Sequence, residues 1–296
     1  MNHEIRNVIL GITTLFVVVF PTVLLTISNH HQESLHRGVR SLFRSPEYSK
    51  TPEYLPKLRR KGSEWRFEIG NDSFGGCDQI PENLNEFRLG EGYYKRVYEY
   101  GNVAIKKSLR DGQGMTECLN NHGDTDRCWK RQIAGFQNEI GLLLQLQGDQ
   151  NIPKVYAYCI PVDTSKDIFV VMEKARPLNL IVYADTPWKK RVRIASNVVD
   201  FLIRVQPFEP LDFRIDQFLL RKDDQPLFTD LDSFVISPEY DELSLATKFY
   251  GQFINGVMKS SLKSRNTIIS NLHHHFLNRS LSLPLIQTSL QRLLKA

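Results

Sequence analysis

The chain is poor in cysteine. It has four in 296 residues, with no Cys-x-x-Cys pair and no Cys/His cluster at ligand spacing. That excludes a zinc ribbon, a zinc finger and a thioredoxin-type redox motif. Internal repeats and low-complexity tracts are absent too, which excludes a solenoid and a biased, unfolded chain. The charge excess is small, +5, and no stripe of lysine and arginine alternates with aromatics. Nothing argues for a nucleic-acid surface, and no nucleic-acid partner is expected. Long apolar runs are missing as well, with one exception. Val8 to Ile27 is uncharged and apolar apart from threonines. About 20 such residues, at about 1.5 Å each, reach across the hydrocarbon core of a bilayer. Pro21 within the run is tolerated in a membrane. A cleaved signal peptide competes with this reading, but the run exceeds a usual signal core. An uncleaved transmembrane signal-anchor over 8–28 is therefore expected, behind a short tail over 1–7.

Residues 29–66 are polar, contain Pro52 and Pro56, and show no sustained period, so they read as a stem. The folded body then covers 67–296. Leu89 to Tyr98 reads as strand, glycine turn, strand, and Asn102 to Lys107 as a further strand. Residues 109–128 are glycine-bearing and polar, and read as a loop. From Lys130 to Gln147, Ile133, Phe136, Ile140, Leu143, Leu144 and Leu146 recur at helical spacing until Gly148 stops them. Ile168 to Glu173 is an apolar strand ending in a carboxylate. Trp188 to Gln206 is helical, with Ile194, Val198, Phe201, Leu202 and Val205 on one face. Leu219–Leu220 and Pro226–Thr229 form a hairpin around Lys222-Asp223-Asp224. The tail from Asp241 is helical with a break at Pro284. A strand-rich half, about 67–173, followed by a helical half, about 174–296, is an α+β class with two lobes.

Chemistry-bearing segments stand in a fixed order on this scaffold. Leu89-Gly90-Glu91-Gly92 forms a turn whose glycines let the backbone approach phosphate oxygens without a Cβ in the way. Lys95 stands where a third glycine would complete the usual loop, and its cation could face phosphates or solvent. Lys106 follows on a strand. Alternation sends Ala104 and Lys106 to one side, the cleft, and Val103 and Ile105 to the other. Ala104 and Val97 then sandwich an adenine ring, and Lys106 holds phosphates. Its partner is Glu139, placed by the spacing on the polar side of the 130–147 helix. Glu173, at the end of its strand, begins the hinge that meets adenine through backbone groups. Asp212 is the candidate catalytic base, and Arg214 two residues on steadies a γ-phosphate. Gln217, five after Asp212, takes a metal-binding position, and Leu219 joins the nucleotide-contacting set. Asp230, thirteen after Gln217, and Asp232 offer hard oxygen to Mg²⁺ or Mn²⁺. The ordered set supplies each part that phosphoryl transfer from ATP requires. His273, His274 and His275 are consecutive, so they do not converge on one helix face and read as solvated.

These segments resemble the vertebrate lonesome kinase family. The resemblance lies in Leu89 to Lys95, the Val-Ala-Ile-Lys strand, Tyr156-Ala157-Tyr158-Cys159, Leu211-Asp212-Phe213-Arg214 with Gln217-Phe218, and Thr229-Asp230-Leu231-Asp232. It covers about Phe87 to Ser233. It implies a two-lobed protein-kinase-like fold with a short helical C-lobe. It also implies a secretory-pathway tyrosine kinase, the ion pair Lys106–Glu139, Asp212 as base and Asp230 as metal ligand. Protein O-mannose kinase is similar in its Gly-Glu-Gly turn, its glutamine and its Asp-Leu-Asp. Two departures matter. Pro210 and Leu211 stand where His and Arg usually precede the base, which removes the arginine that answers activation-loop phosphorylation. Ser237-Pro238-Glu239 then follows Asp232 closely, leaving a very short activation segment or none.

The expected compartment is luminal. The charges flanking the apolar run lean weakly the other way. Asn71-Asp72-Ser73 and Asn278-Arg279-Ser280 are glycosylation sequons, and Cys118 and Cys128 suit a disulfide better than a metal site. Four cysteines allow three pairings, of which Cys118–Cys128 with Cys77–Cys159 is the working choice. The reading is a Golgi or secretory-pathway kinase, membrane-held through its N-terminal helix or released and secreted. Its substrates are luminal or extracellular proteins, and its cofactors are ATP and Mg²⁺ or Mn²⁺. The rivals are a glycan kinase and a pseudokinase that binds without transferring phosphate.

Overall fold

The structure, a computed structural model, describes residues 55–69, 74–80, 84, 87–236, 241–258 and 263–296. The tail 1–7, the apolar span 8–28, most of the stem, Asn71-Asp72-Ser73 and Ser237-Pro238-Glu239 lie outside the described residues. Among the described residues no helix is long and apolar enough to cross a membrane.

The end of the expected stem is folded. Strands β1 (Leu58–Lys61) and β2 (Glu64–Phe67) pair antiparallel. Gly62, at φ 63°, opens the turn between them, a backbone state that glycine adopts without strain. Several attachments hold the hairpin to the body, among them the bond from Trp65 N–H to the Ile160 carbonyl at 2.7 Å. Phe67 is buried in the main core, and its N–H donates to the Tyr158 hydroxyl at 2.9 Å. Arg66 lies over the Tyr158 ring at 4.1 Å. Its guanidinium also donates to the carbonyls of Phe74, Gly75 and Tyr158. The boundary expected at 67 therefore falls after the first structured elements. The strands pair locally, but Tyr158, which anchors them to the body, lies some 90 residues away in sequence.

β3 (Phe87–Glu91), β4 (Lys95–Tyr100), β5 (Val103–Ser108), β6 (Val155–Cys159) and β7 (Phe169–Glu173) build one antiparallel sheet in the order β3-β4-β5-β7-β6. Register fixes its faces. Val97 pairs with Lys106, Ala104 with Met172, and Lys106 with Val170, so these side chains share one face. Ile105, Ala157 and Val171 form a separate cluster on the opposite face. The disulfide Cys77–Cys159 joins the end of β6 to the segment after β2, and Cys118–Cys128 closes the other expected pair.

The stretch expected to be a loop over 109–128 is mostly helical. It contains α1 (Gln113–His122) and the start of α2 (Thr125–Gln145). Gly123 ends the first helix at φ 67°, and Asp124 caps the second by accepting from Arg127 N–H at 3.0 Å. Cys118–Cys128 therefore links two helices rather than closing a loop. α2 lays Phe136, Ile140, Leu143 and Leu144 into the core shared with Ala104, Val170 and Met172.

The second half begins with β8 (Arg176–Pro177), α3 (Leu180–Asp185) and α4 (Trp188–Arg204). β9 (Phe208–Pro210), β10 (Phe218–Leu220), β11 (Pro226–Phe228) and β12 (Phe234–Ile236) follow. The chain ends in α5 (Glu242–Phe249), α6 (Lys263–Leu277) and α7 (Leu283–Lys295). β10 pairs with β11 and β8, and β12 pairs with β9. The expected break at Pro284 is the first turn of α7, where a missing N–H costs nothing. His273 bonds the Tyr250 hydroxyl at 2.9 Å, while His274 and His275 reach only their neighbours Asn278 and Ser280.

Five phenylalanines anchor this half. Phe218 sits at the centre of them, within 4.8–5.8 Å of the Phe213, Phe228 and Phe253 rings, and it is fully buried. Phe249 stacks on Phe253 at 5.1 Å. Truncating a buried phenylalanine removes its transfer free energy and leaves a cavity. Phe218→Ala should cost about 3–5 kcal/mol of stability, read as a lowered urea midpoint at unchanged slope. A loss under about 1 kcal/mol would show that the cluster is not the anchor of this half.

Candidate active site

Lys106 and Glu139 meet. Lys106 points from the core-facing side of β5 and pairs with Glu139 Oε1 on α2. Its ammonium also donates to the Thr229 carbonyl at 3.0 Å and lies 3.4 Å from Asp230 Oδ1. Glu139 has no exposed surface, so the polar side expected for it is in fact the buried side of α2. A lone carboxylate could not be buried there; two ammonium groups make it possible.

The second ammonium belongs to Lys95. It is neither on solvent nor free to meet a phosphate. Lys95 Nζ stands 2.5 Å from Glu139 Oε2, 2.5 Å from Asp232 Oδ2 and 3.4 Å from Asp230 Oδ1. Its position follows from register. Lys95 pairs with Ser108 and lies two residues before Val97, so it shares a face with Val97, Ala104 and Lys106. The same alternation that selects Lys106 selects Lys95, a signal available in the sequence and not used.

Asp230 and Asp232 project from the turn between β11 and β12. Fully buried Leu231 pins that turn between them. Glu139, Asp230 and Asp232 each offer a carboxylate oxygen within 4.8 Å of the others. Burial pushes Asp230 up, but Lys95 and Lys106 outweigh it and hold this carboxyl well below its usual range. Asp232 is pushed up to about 6, first by burial and then by the Asp230 charge, against the pull of Lys95. Burial alone would lower Lys95; Asp232, Glu139 and Asp230 instead hold it far above the ordinary lysine value. The cluster sets two lysines against three acidic side chains.

Asp212 and its neighbours form a second group. The loop before β10 alternates. Asp212, Arg214 and Asp216 reach the surface, while Phe213 and Ile215 are buried. Asp212 accepts from Gln217 Nε2 at 2.9 Å on Oδ2 and pairs with Arg214 Nε at 3.0 Å on Oδ1. Arg214 is thus engaged with Asp212, and weakly with Asp216 at 3.5 Å. Gln217 is buried, and its Oε1 has no protein partner. The Gln217 carbonyl accepts from the Thr229 N–H and hydroxyl, each at 3.3 Å, which ties the two groups together.

The remaining expected residues line the approach. Gly90 pairs with Val97 across a register shift after Arg88, and a Cβ on Gly90 would meet nothing within 4 Å. Space for a ligand is open there. Gly92 N–H donates to the Lys95 carbonyl at 2.8 Å, closing the turn. Leu89 is exposed, and Glu91 pairs with Arg88 and Arg96. Val97 is half-buried, Ala104 is buried, and Leu219 is half-buried on β10. Glu173, expected to begin the hinge, is bonded at its N–H and its side chain. Its N–H donates to the Lys154 carbonyl at 2.8 Å. Its carboxylate grips Arg221 at 2.6 and 2.8 Å, which holds it below the ordinary value. It is a clamp between the sheet and the β10–β11 hairpin, and its amide is not free for adenine.

The donor set fits a hard divalent cation. Asp230 is kept ionised, Asp232 stands beside it, and Gln217 holds an unpartnered oxygen. Lys106 and an open glycine turn fit a nucleotide's phosphates.

No protein-family model and no curated protein matches the sequence. Among solved structures the chain is similar to one of WbdD, at a TM-score of 0.49 and 17% identity, over 71% of this chain and 46% of that one. It is also similar to a structure of WbdD described as a bifunctional kinase-methyltransferase, at 0.48 and 16%, over 68% and 43%. The chain spans less than half the length of these structures. Such scores add nothing to the geometry. What the geometry offers is a strand lysine paired with a helix glutamate beside the aspartate of a following turn.

Two outcomes follow from the buried charges. Glu139→Gln leaves two lysines facing only the aspartates, and should cost about 3–5 kcal/mol in urea unfolding; an unchanged midpoint would contradict the shared pairing. Asp232 keeps its proton in the folded chain up to about 6 and in the unfolded chain only to about 3.8. The folded state therefore binds the extra proton, and stability falls as pH rises from about 4 to about 6. Asp232→Asn should flatten that slope in melting curves recorded with chelator; an unaltered slope would place the titration elsewhere.

Proposed function

We propose that the chain is an ATP- and divalent-metal-dependent kinase of the secretory pathway that phosphorylates hydroxyl groups of luminal or extracellular proteins. One observation carries this: Lys106, buried and paired with Glu139, stands 3.4 Å from Asp230 although 124 residues separate them. Ordinary ion pairs do not require a glycine turn above and a hydrogen-bonded aspartate below.

The residues divide the work. The Gly90–Gly92 turn admits phosphate oxygens to the backbone. Lys106, fixed by Glu139, orients the phosphates. Asp230 and Asp232, with Gln217 Oε1, would hold the metal ion, which supplies charge neutralisation when bound. Asp212 receives hydrogen bonds on both oxygens, and each oxygen keeps a lone pair for an incoming hydroxyl. It orients that hydroxyl and accepts its proton as the bond to phosphorus forms.

Support for the compartment comes from the cysteines. All four are placed in disulfides, as suits an oxidising lumen. Asn278 of the second sequon is exposed at the end of α6, open to a glycosyltransferase. Tyrosine as acceptor rests on the family resemblance.

A second reading, a glycan acceptor, is favoured by the segment after Asp232. Residues 234–236 are used in β12, and only 237–240 separate it from Asp241, the cap of α5. Little chain is left there to dock a peptide strand.

Purified protein with labelled ATP and Mg²⁺ or Mn²⁺ should transfer phosphate. Asp230→Ala should abolish transfer, and Asp212→Asn should slow it by about 100-fold or more. Undiminished transfer by the Asp230 variant would reject the site. Phosphotyrosine in the product supports the protein acceptor; label on a released glycan supports the second reading. ATP should raise the melting temperature more with Mg²⁺ than without. A melting shift without any transfer would mark a pseudokinase.

A further inference from the structure

Phosphoryl transfer asks for one strand lysine, and Lys106 fills that place. Lys95 is a second, set deeper in the acid cluster. Its Nζ lies 2.5 Å from Asp232 and 3.4 Å from Asp230. A divalent ion shared by those two carboxylates would need about 2.0–2.6 Å to its oxygens. The ammonium already occupies that space. Two cations could not share it, because they would sit within about 4 Å of each other in a buried setting, where repulsion is strong. Metal and Lys95 are therefore mutually exclusive at these oxygens.

Two further features bear on where the ammonium goes. The Lys95 carbonyl closes the glycine turn by accepting from Gly92 N–H at 2.8 Å. Its side chain is thus rooted in the wall expected to meet phosphates. Glu139 is already half-committed to Lys106, so it can lose Lys95 and stay paired. With both lysines the cluster sums to one negative charge, two ammonium groups against Glu139, Asp230 and Asp232; without Lys95 it sums to two.

Resting on the kinase reading above, we propose that Lys95 is a tethered counter-cation of the metal site. It neutralises Asp230 and Asp232 while no metal is bound. It leaves those oxygens when a divalent ion enters, and then serves the nucleotide's phosphates beside Lys106. It is a positioning residue that makes metal entry and phosphate binding depend on each other.

The test uses the full chain and Mn²⁺ alone, with free Mn²⁺ read by electron paramagnetic resonance and no nucleotide present. Lys95→Met keeps the side-chain length and removes the charge. It should bind Mn²⁺ at least about tenfold more tightly than the wild type, the scale by which groups around a metal site alter affinity. Its ATP affinity, measured with Mn²⁺ saturating, should fall. Equal or weaker Mn²⁺ binding by the variant overturns the proposal; if the wild type still transfers phosphate, the kinase reading survives. Binding of Mn²⁺ by neither protein overturns the proposal, and the phosphate-transfer assay alone then decides the kinase reading. Should the variant fail to fold, the wild type answers alone. Acylation of Lys95, read by peptide mass spectrometry, should rise on adding Mg²⁺ without nucleotide, and unchanged labelling overturns the proposal.

Discussion

One carboxylate with no access to water holds the site together. Glu139 could not be buried alone, and its two oxygens are divided between lysines of neighbouring strands. That division fixes several things at once. The β4–β5 register must bring Lys95 and Lys106 to one face. α2 must dock in the rotation that turns Glu139 inward with Phe136, Ile140 and Leu143. The Asp230–Asp232 turn must then come close enough to balance the lysines' remaining charge. A slip of one residue in β4 or β5 would flip a lysine to the Ile105 side and leave one Glu139 oxygen without its partner.

The Asp212 group depends on packing instead of charge. Phe213 and Phe218 are driven into the aromatic cluster, so Asp212 just before them and Arg214 to Gln217 between them are displayed in a set order. Its link to the first group is the pair of bonds from Thr229 to the Gln217 carbonyl. Charge organises one wall of the cleft, aromatic burial the other, and a threonine next to Asp230 joins them.

Much of the candidate site's layout was legible in the chain. Alternation in Val103-Ala104-Ile105-Lys106 put Lys106 on the face that meets Asp230, and the offset from Asp212 put Gln217 in reach of Asp212. The hairpin around Asp224 and the helix over 188–204 also follow from local pattern. What stayed hidden was non-local. Glu139 looks solvated because the lysines that neutralise it lie 33 and 44 residues away. β1 and β2 look like stem because Tyr158 and Gly75, which hold Arg66, are far along the chain. α1 offers only Met115 and Leu119 as an apolar face, too sparse a period to separate from loop. Glu173 looks like a bare strand end because Arg221 belongs to another hairpin.

The Glu173–Arg221 clamp does more than hold an edge. Arg221 also donates to the Gln150 carbonyl at 2.8 Å. Next to it, Asn151 bonds Pro226 and receives Phe228 N–H. The rear of the cleft is thus laced by side chains from both halves, and prising the halves apart would strip several bonds together. Among the described residues the outer side of β3, the edge of the sheet, pairs with no other strand. On the kinase reading proposed above, that unlaced rim is the side by which a nucleotide would enter, opposite a back that is bonded across.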